Sequence, residues 1–228
     1  MSTSQIFDDW STYEKVVAGD YMHHCDFFDV LMDEIAARLS RPLAIIDIGC
    51  GDARPILPLL ERFEIKRYVG IDQSQVALDR AHKALIRLSI SYELQSGSML
   101  GGLRNMAAEF DLAIASYSLH HLESCDKQAT ITECRRLLRP DALLAVIDVF
   151  LEEGESRPAY FERWQKNARE TFASLKQGEL EALLEHVHDC DIPETVSSYR
   201  EFGIAAGFAT VEPIREDRER LNKLVMFC

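Results

Sequence analysis

Seven short runs of apolar, mostly β-branched residues punctuate the chain: "LAIIDI" (43–48), "RYVGI" (67–71), "ISYEL" (90–94), "DLAIAS" (111–116), "ALLAVIDVF" (142–150), "ATVEPI" (209–214) and "KLVMF" (223–227). Near-continuous apolar strands of this kind are buried on both faces. Helix-patterned segments separate the first five, which predicts right-handed crossovers and a parallel sheet. The last two are joined by the charged "REDRER" (215–220). That link is too short for a crossover helix, so an antiparallel terminal hairpin is expected. The pattern predicts an α/β fold: a seven-stranded, mostly parallel, Rossmann-like sheet with helices on both faces.

Helical periodicity fills the gaps. Ser74 is the expected N-cap of a helix over 74–88, with Val76, Ala77, Leu78, Ala81, Leu85 and Ile86 as its packing stripe. Another helix should end at Arg139–Pro140, before the fifth strand. Two regions fall outside the alternation. Residues 1–39 should form a helical lid, with Asp20 capping a helix from about 21 to 39 and Cys25, Phe28, Leu31, Met32, Ile35 and Leu39 facing inward. Residues 151–193 should form a helical cap inserted after the fifth strand, above the crevice where open α/β sheets bind ligands. Residues 40–150 then form the core, completed by 194–228.

Composition narrows the chemistry. With 38 acidic and 25 basic side chains the formal charge is −13, which repels nucleic acid and anionic membranes. No apolar run reaches membrane-spanning length, the first ten residues carry no targeting pattern, and the six cysteines show no CxxC pair or zinc-ligand spacing. A cytoplasmic protein acting as monomer or homodimer is expected.

The chemistry concentrates in "DIGCGDA" (47–53). A glycine turn between strand and helix lets the backbone approach a ligand closely. Arg54 occupies the place of the third glycine of a dinucleotide fingerprint, and Asp47 would repel a pyrophosphate but favour a cation. Asp72 ends the next strand, where a ribose diol is normally held. A ligand with a ribose and a positive charge, but no phosphate, fits this pair.

In these residues the sequence resembles the class I S-adenosylmethionine-dependent methyltransferases, in their small-molecule branch, over about 43–148 and the terminal hairpin. Asp47, Gly49 and Gly51 match the family's first motif, with Ala53 in place of its third glycine. Asp72, followed by Gln73, matches the acid of the second strand. In "QSGSML" (95–100) Ser98 stands where the family carries an Asp near the adenine, and Met99 would pack on that ring. "FDLAIASYSLHHLE" (110–123) matches the fourth motif, with Ser116 and Tyr117 facing the donor. The resemblance implies S-adenosylmethionine as donor, S-adenosylhomocysteine (SAH) as product and a small-molecule acceptor; no set of residues has metal-ligand spacing, so no metal is expected. Cys50 lies within the first motif and is expected at the donor.

Candidate catalytic groups are Tyr21, His24, Tyr117 and His121. Tyr21 and His24 would share a helix face on the lid, and His24 or His121 suits a base near neutral pH. His120 and His121 are adjacent, so their side chains should diverge and not share a metal. His186 and His188 are read as surface residues. Two other functions remain open: different chemistry on the same donor, such as internal cyclisation releasing methylthioadenosine, and donor binding without catalysis. A dinucleotide oxidoreductase is disfavoured by Arg54 and Asp47.

Overall fold

The computed structural model describes residues 10–107 and 109–228. The strands are β1 (Leu43–Ile48), β2 (Ile65–Asp72), β3 (Tyr92–Ser96), β4 (Phe110–Ser116), β5 (Leu138–Val149), β6 (Val211–Glu216) and β7 (Asn222–Phe227). They form one sheet in the order β3-β2-β1-β4-β5-β7-β6. The first five are parallel, and β7 pairs antiparallel with both β5 and β6. This is the Rossmann-like sheet with a terminal hairpin that the apolar runs predict.

The helices are α1 (Trp10–Ala18), α2 (His24–Arg38), α3 (Leu57–Arg62), α4 (Gln75–Leu85), α5 (Met99–Arg104), α6 (Ser124–Leu137), α7 (Arg157–Thr171), α8 (Gln177–Cys190) and α9 (Val196–Ala206). Strand alternation sends Ala44, Ile46 and Ile48 to one face, where Leu103 of α5, Ile131 of α6 and Tyr199 of α9 cover them. Leu43 and Ile45 face α2, α3 and α4 through Leu31, Leu59 and Ala81. Ser74 caps α4, accepting from the Ala77 N–H at 3.2 Å. Val76 and Ile86 of the expected stripe are exposed instead. Among the described residues no helix is long and apolar enough to cross a membrane.

The lid differs from expectation. In place of one helix from about 21, the chain forms α1, turns, and starts α2 at His24. Asp20 and His23 both take positive φ (49° and 55°) and break the helical path between them. Asp20 still serves the second helix by accepting from the Cys25 N–H at 3.2 Å. A third apolar cluster joins Val16 of α1 to Tyr160, Trp164 and Ala168 of α7 and Leu184 and Val187 of α8, with Val149 at the end of β5 beneath them. These three helices therefore pack together beside the carboxyl end of β5.

Candidate active site

Between β1 and β4 the strand order reverses direction, and a cavity of about 880 Å³ lies at the carboxyl ends of these strands. Local sequence builds its first wall. The Gly49 and Cys50 N–H groups both donate to the Ile71 carbonyl (2.8 and 3.0 Å), which locks the turn to β2. Gly49 has φ +72°, and a Cβ there would fall 2.4 Å from the Ser118 Cβ. Only glycine fits that close approach. Asp72 is pinned from both sides, accepting from the Gly51 N–H (2.9 Å) and the Ser74 N–H (2.8 Å). Asp47 is buried and accepts from the Tyr68 hydroxyl at 2.8 Å. Burial pushes its pKa up to about 7, against the Tyr68 hydrogen bond.

Gln73, Met99 and Ser116 also line the cavity. The Ser116 hydroxyl is shielded and has no protein partner. The Ser98 hydroxyl caps α5, accepting from the Gly101 N–H at 3.2 Å, so it reaches the cavity as an engaged group. Cys50 lines the wall, but its sulfur lies beneath, 2.8 Å from where a Cβ on Gly70 would sit.

These features fit the donor that the sequence implies. A glycine cradle, a carboxylate at the end of β2, a second carboxylate held by a neutral tyrosine hydroxyl and a hydroxyl with no protein partner converge on one space. The volume lies within the range of small-molecule sites.

The opposite wall comes from distant segments. His24 lines the cavity from the start of α2, its ring 4.8 Å from that of Tyr117 and its Nδ1 shielded and unpartnered. Burial pulls its pKa down to about 4 against Asp20 and Asp52, so it is neutral at pH 7. Tyr117 sits at φ 50° and donates its hydroxyl to the Met22 carbonyl, tying the lid turn to the end of β4. Burial raises its pKa well above 10. Tyr21, expected beside His24, is placed elsewhere. The turn before α2 carries it against Phe172, with ring centroids 4.5 Å apart, and its hydroxyl accepts from the Ser174 N–H. Tyr160 is buried under the cap and also lies off the cavity wall, whereas Trp164 lines it.

The histidine pair behaves differently from expectation. His120 and His121 lie in a 3₁₀ turn (Leu119–His121), not a helix or strand, and their rings come within 4.0 Å. Asp148 organises this turn. It accepts from the Leu119 and His120 N–H groups (3.0 and 3.1 Å) and holds the His120 Nδ1 at 2.5 Å. Asp191, after α8, brings Oδ1 to 3.7 Å from His120 Nε2 and 3.8 Å from His121 Nδ1. Burial lowers the His120 pKa, but Asp148 and Asp191 outweigh it and raise the net value to about 9. Burial raises Asp191 to about 6. His186, read as a surface residue, faces the cavity with its ring 5.5 Å from His121.

Sequence reasoning missed His120, Asp148, Asp191 and His186. A carboxylate near the end of the otherwise apolar "ALLAVIDVF" was a usable signal for Asp148. Nothing in "HDCDIP" marked Asp191.

Comparison with known proteins agrees with this geometry. Residues 45–141 match the family described as a methyltransferase domain. A probable methyltransferase of Aspergillus luteorubrus is 31% identical over 111 residues, covering 46% of this chain and 39% of that protein. An O-methyltransferase of Aspergillus nomiae is 27% identical over 148 residues, 60% of each chain. The chain thus spans less than two thirds of the length of these curated relatives. The magnesium protoporphyrin IX methyltransferase of Synechocystis PCC 6803, solved with bound SAH, superposes with a TM-score of 0.64 at 16% identity, covering 98% of this chain and 94% of that one. The glycine turn, the two strand-end carboxylates, the strand order and the matched residues agree: residues 45–141 are a methyltransferase domain, within a fold of the class I, S-adenosylmethionine-dependent type.

Proposed function

We propose that this chain transfers the methyl group of S-adenosylmethionine to an oxygen atom of a small acceptor held beneath α1, α7 and α8. One observation carries the reading: a single cavity runs from the Asp47–Gly49–Asp72 edge to a wall bearing His24, His121, His186 and Trp164. Its volume suits the donor together with a small molecule. The resemblance to O-methyltransferases supports oxygen as the accepting atom.

The donor supplies a methyl group already activated by a sulfonium. The protein's task is therefore alignment and exclusion of water. Asp72 receives the ribose hydroxyls, and Asp47 faces the cationic methionine end. The roof helices close over the acceptor. Such positioning can contribute roughly 7–11 kcal/mol to rate acceleration. His24, neutral at pH 7 with Nδ1 unpartnered, takes the proton of the acceptor hydroxyl.

The test is product analysis by mass spectrometry, first with the donor alone and then with a panel of hydroxylated metabolites. SAH should form only when an acceptor is present. Methylthioadenosine released from the donor alone would replace this reading with internal cyclisation. In His24→Ala, kcat should fall by about 100-fold or more while SAH affinity is little changed. Equal loss of both would make His24 a binding residue.

A further inference from the structure

We infer that His120, His121 and Asp191 form a site for a divalent first-row transition metal at the acceptor end of the cavity. Each offers one ligand atom, and all three atoms lie within 4.8 Å of one another. His120 Nε2 and His121 Nδ1 stand 3.7 and 3.8 Å from Asp191 Oδ1. Ligands about 2.0–2.1 Å from a tetrahedral zinc ion lie roughly 3.4 Å from each other. The three groups are thus too far apart to hydrogen-bond directly, and small side-chain rotations bring them to metal-ligand spacing.

Two further features favour an ion over a bare polar cluster. Asp191 is 4% exposed, yet its Oδ1 has no hydrogen-bond partner. A buried carboxylate oxygen without a hydrogen-bond partner is costly, and coordination to an ion would satisfy it. The histidines are also held from behind. The His120 Nδ1 sits 2.5 Å from Asp148 Oδ1, which directs Nε2 toward Asp191. The His121 ring is hydrogen-bonded to the Cys190 backbone. A ligating histidine ordinarily rests its other nitrogen on a carboxylate or backbone carbonyl in this way.

The Asp191 end of the site is anchored to the core. The Ile192 N–H donates to the His120 carbonyl at 2.7 Å, and the Lys127 ammonium donates to the Ile192 carbonyl at 2.7 Å. Two imidazoles and one carboxylate suit zinc, iron or cobalt better than magnesium or calcium. Three protein ligands leave a coordination position open toward the cavity, and His186 stands nearby. The ion's role rests on the methyl-transfer reading: at that position it would hold and polarise the acceptor oxygen. The site itself stands on its own geometry.

Cobalt(II) titration of the full-length, chelator-treated protein tests the site by visible absorption and calorimetry. One equivalent should bind, with the absorption of a nitrogen–oxygen site that shifts when azide is added. Asp191→Asn and His121→Ala should each weaken binding by about 100-fold or more. His23→Ala, which alters the separate group of His23, Asp217 and Glu219, should leave it unchanged. Absence of stoichiometric binding overturns the inference, as does binding that follows His23 instead of His121. SAH binding is measured on the same samples. Cobalt failure with SAH bound removes the ion site and spares the methyl-transfer reading. SAH failure with cobalt bound spares the site and removes its proposed role.

Discussion

Asp111 at the amino end of the sheet and Asp47 and Asp72 at its carboxyl end are carboxylates held in opposite ways. At the amino end Asp111 is fully buried between Arg41 (2.6 Å) and Arg139 (3.2 Å) and also accepts from the Ala44 N–H (2.8 Å). Arg41 reaches on to Asp141 at 2.7 Å, so this end is a closed network of paired charges. At the carboxyl end Asp47 and Asp72 have no lysine or arginine partner among the described residues, only neutral donors: a tyrosine hydroxyl and two backbone N–H groups. Charges paired within the protein hold the fold. Charges given only neutral donors remain available to a cationic ligand, at a cost in stability while they wait.

The largest expected effect lies at the paired end. Asp111→Ala should lower unfolding free energy by about 3–5 kcal/mol, the usual result of breaking a buried ion network from one side. The arginines are about a third exposed and can turn to solvent, which keeps the loss near the lower figure. Urea denaturation at pH 7 measures it. A loss below about 1 kcal/mol, the range of surface pairs, would erase the contrast between the two ends.

Asp47→Asn should act in the opposite direction. Burial raises the folded pKa of Asp47 to about 7, well above the ordinary carboxylate value. Stability it contributes below pH 4 is therefore lost as pH rises toward 7, because the folded state holds a proton that the unfolded state releases. Removing the charge should make the ligand-free protein more stable at pH 7 by about 3 kcal/mol and flatten the decline between pH 4 and 7. Donor affinity should fall in the same variant. In the wild type it should rise about tenfold per unit up to pH 7 and weaken again above about 8, where an α-amino group loses its proton. An Asp47→Asn protein with unchanged stability and unchanged donor affinity would return Asp47 to a turn-capping role.

Legibility in the sequence followed the same divide between local and distant. The sheet, its hairpin and the glycine-turn edge of the cavity were readable because each feature is written in one contiguous stretch: apolar runs for strands, "DIGCGDA" for the turn, "VGIDQS" for the second acid. The opposite wall was not. His121, His186 and Asp191 meet only after α7 and α8 fold back on the core, and no periodicity encodes that. The rule that adjacent side chains diverge failed at His120 and His121 because Asp148 holds their segment in a 3₁₀ turn. Tyr21 was misplaced because the positive φ of Asp20 and His23 breaks a helix that looked continuous.

Asp72→Ala should produce an intermediate effect. It removes the carboxylate proposed to hold the ribose together with its hydrogen bonds to the Gly51 and Ser74 N–H groups. SAH affinity should drop by about 10- to 100-fold, the loss of one or two hydrogen bonds to a charged group at roughly 1.5–3 kcal/mol. Stability should change less, since the carboxylate is half-buried and itself raised in pKa by burial. Calorimetry with SAH and a thermal melt on the same variant separate the two quantities. A large stability loss with little loss of affinity would make Asp72 a partner of the amino-end network in kind.

The smallest effect should come from Ala53, the residue that departs from the family's glycine pattern. Its φ is 58°, a left-handed value that costs an L-residue about 1–2 kcal/mol. Replacement by glycine removes that strain. It also loses the burial of a methyl group, since Ala53 is 1% exposed and packs in the cluster with Phe28, Ile56 and Leu59, worth about 0.8 kcal/mol. Glycine adds unfolded-chain entropy of about 0.4–1 kcal/mol on the same side. The terms nearly cancel, so Ala53→Gly should shift stability by less than about 1 kcal/mol and leave SAH affinity unchanged. Gly49→Ala is the contrast: it carries the same left-handed strain with a Cβ 2.4 Å from Ser118 and no compensating pocket, and it should abolish donor binding. If Ala53→Gly tightened SAH binding tenfold, the third position would also be shaping the donor edge, and the alanine would mark a weakened site instead of a repacked one.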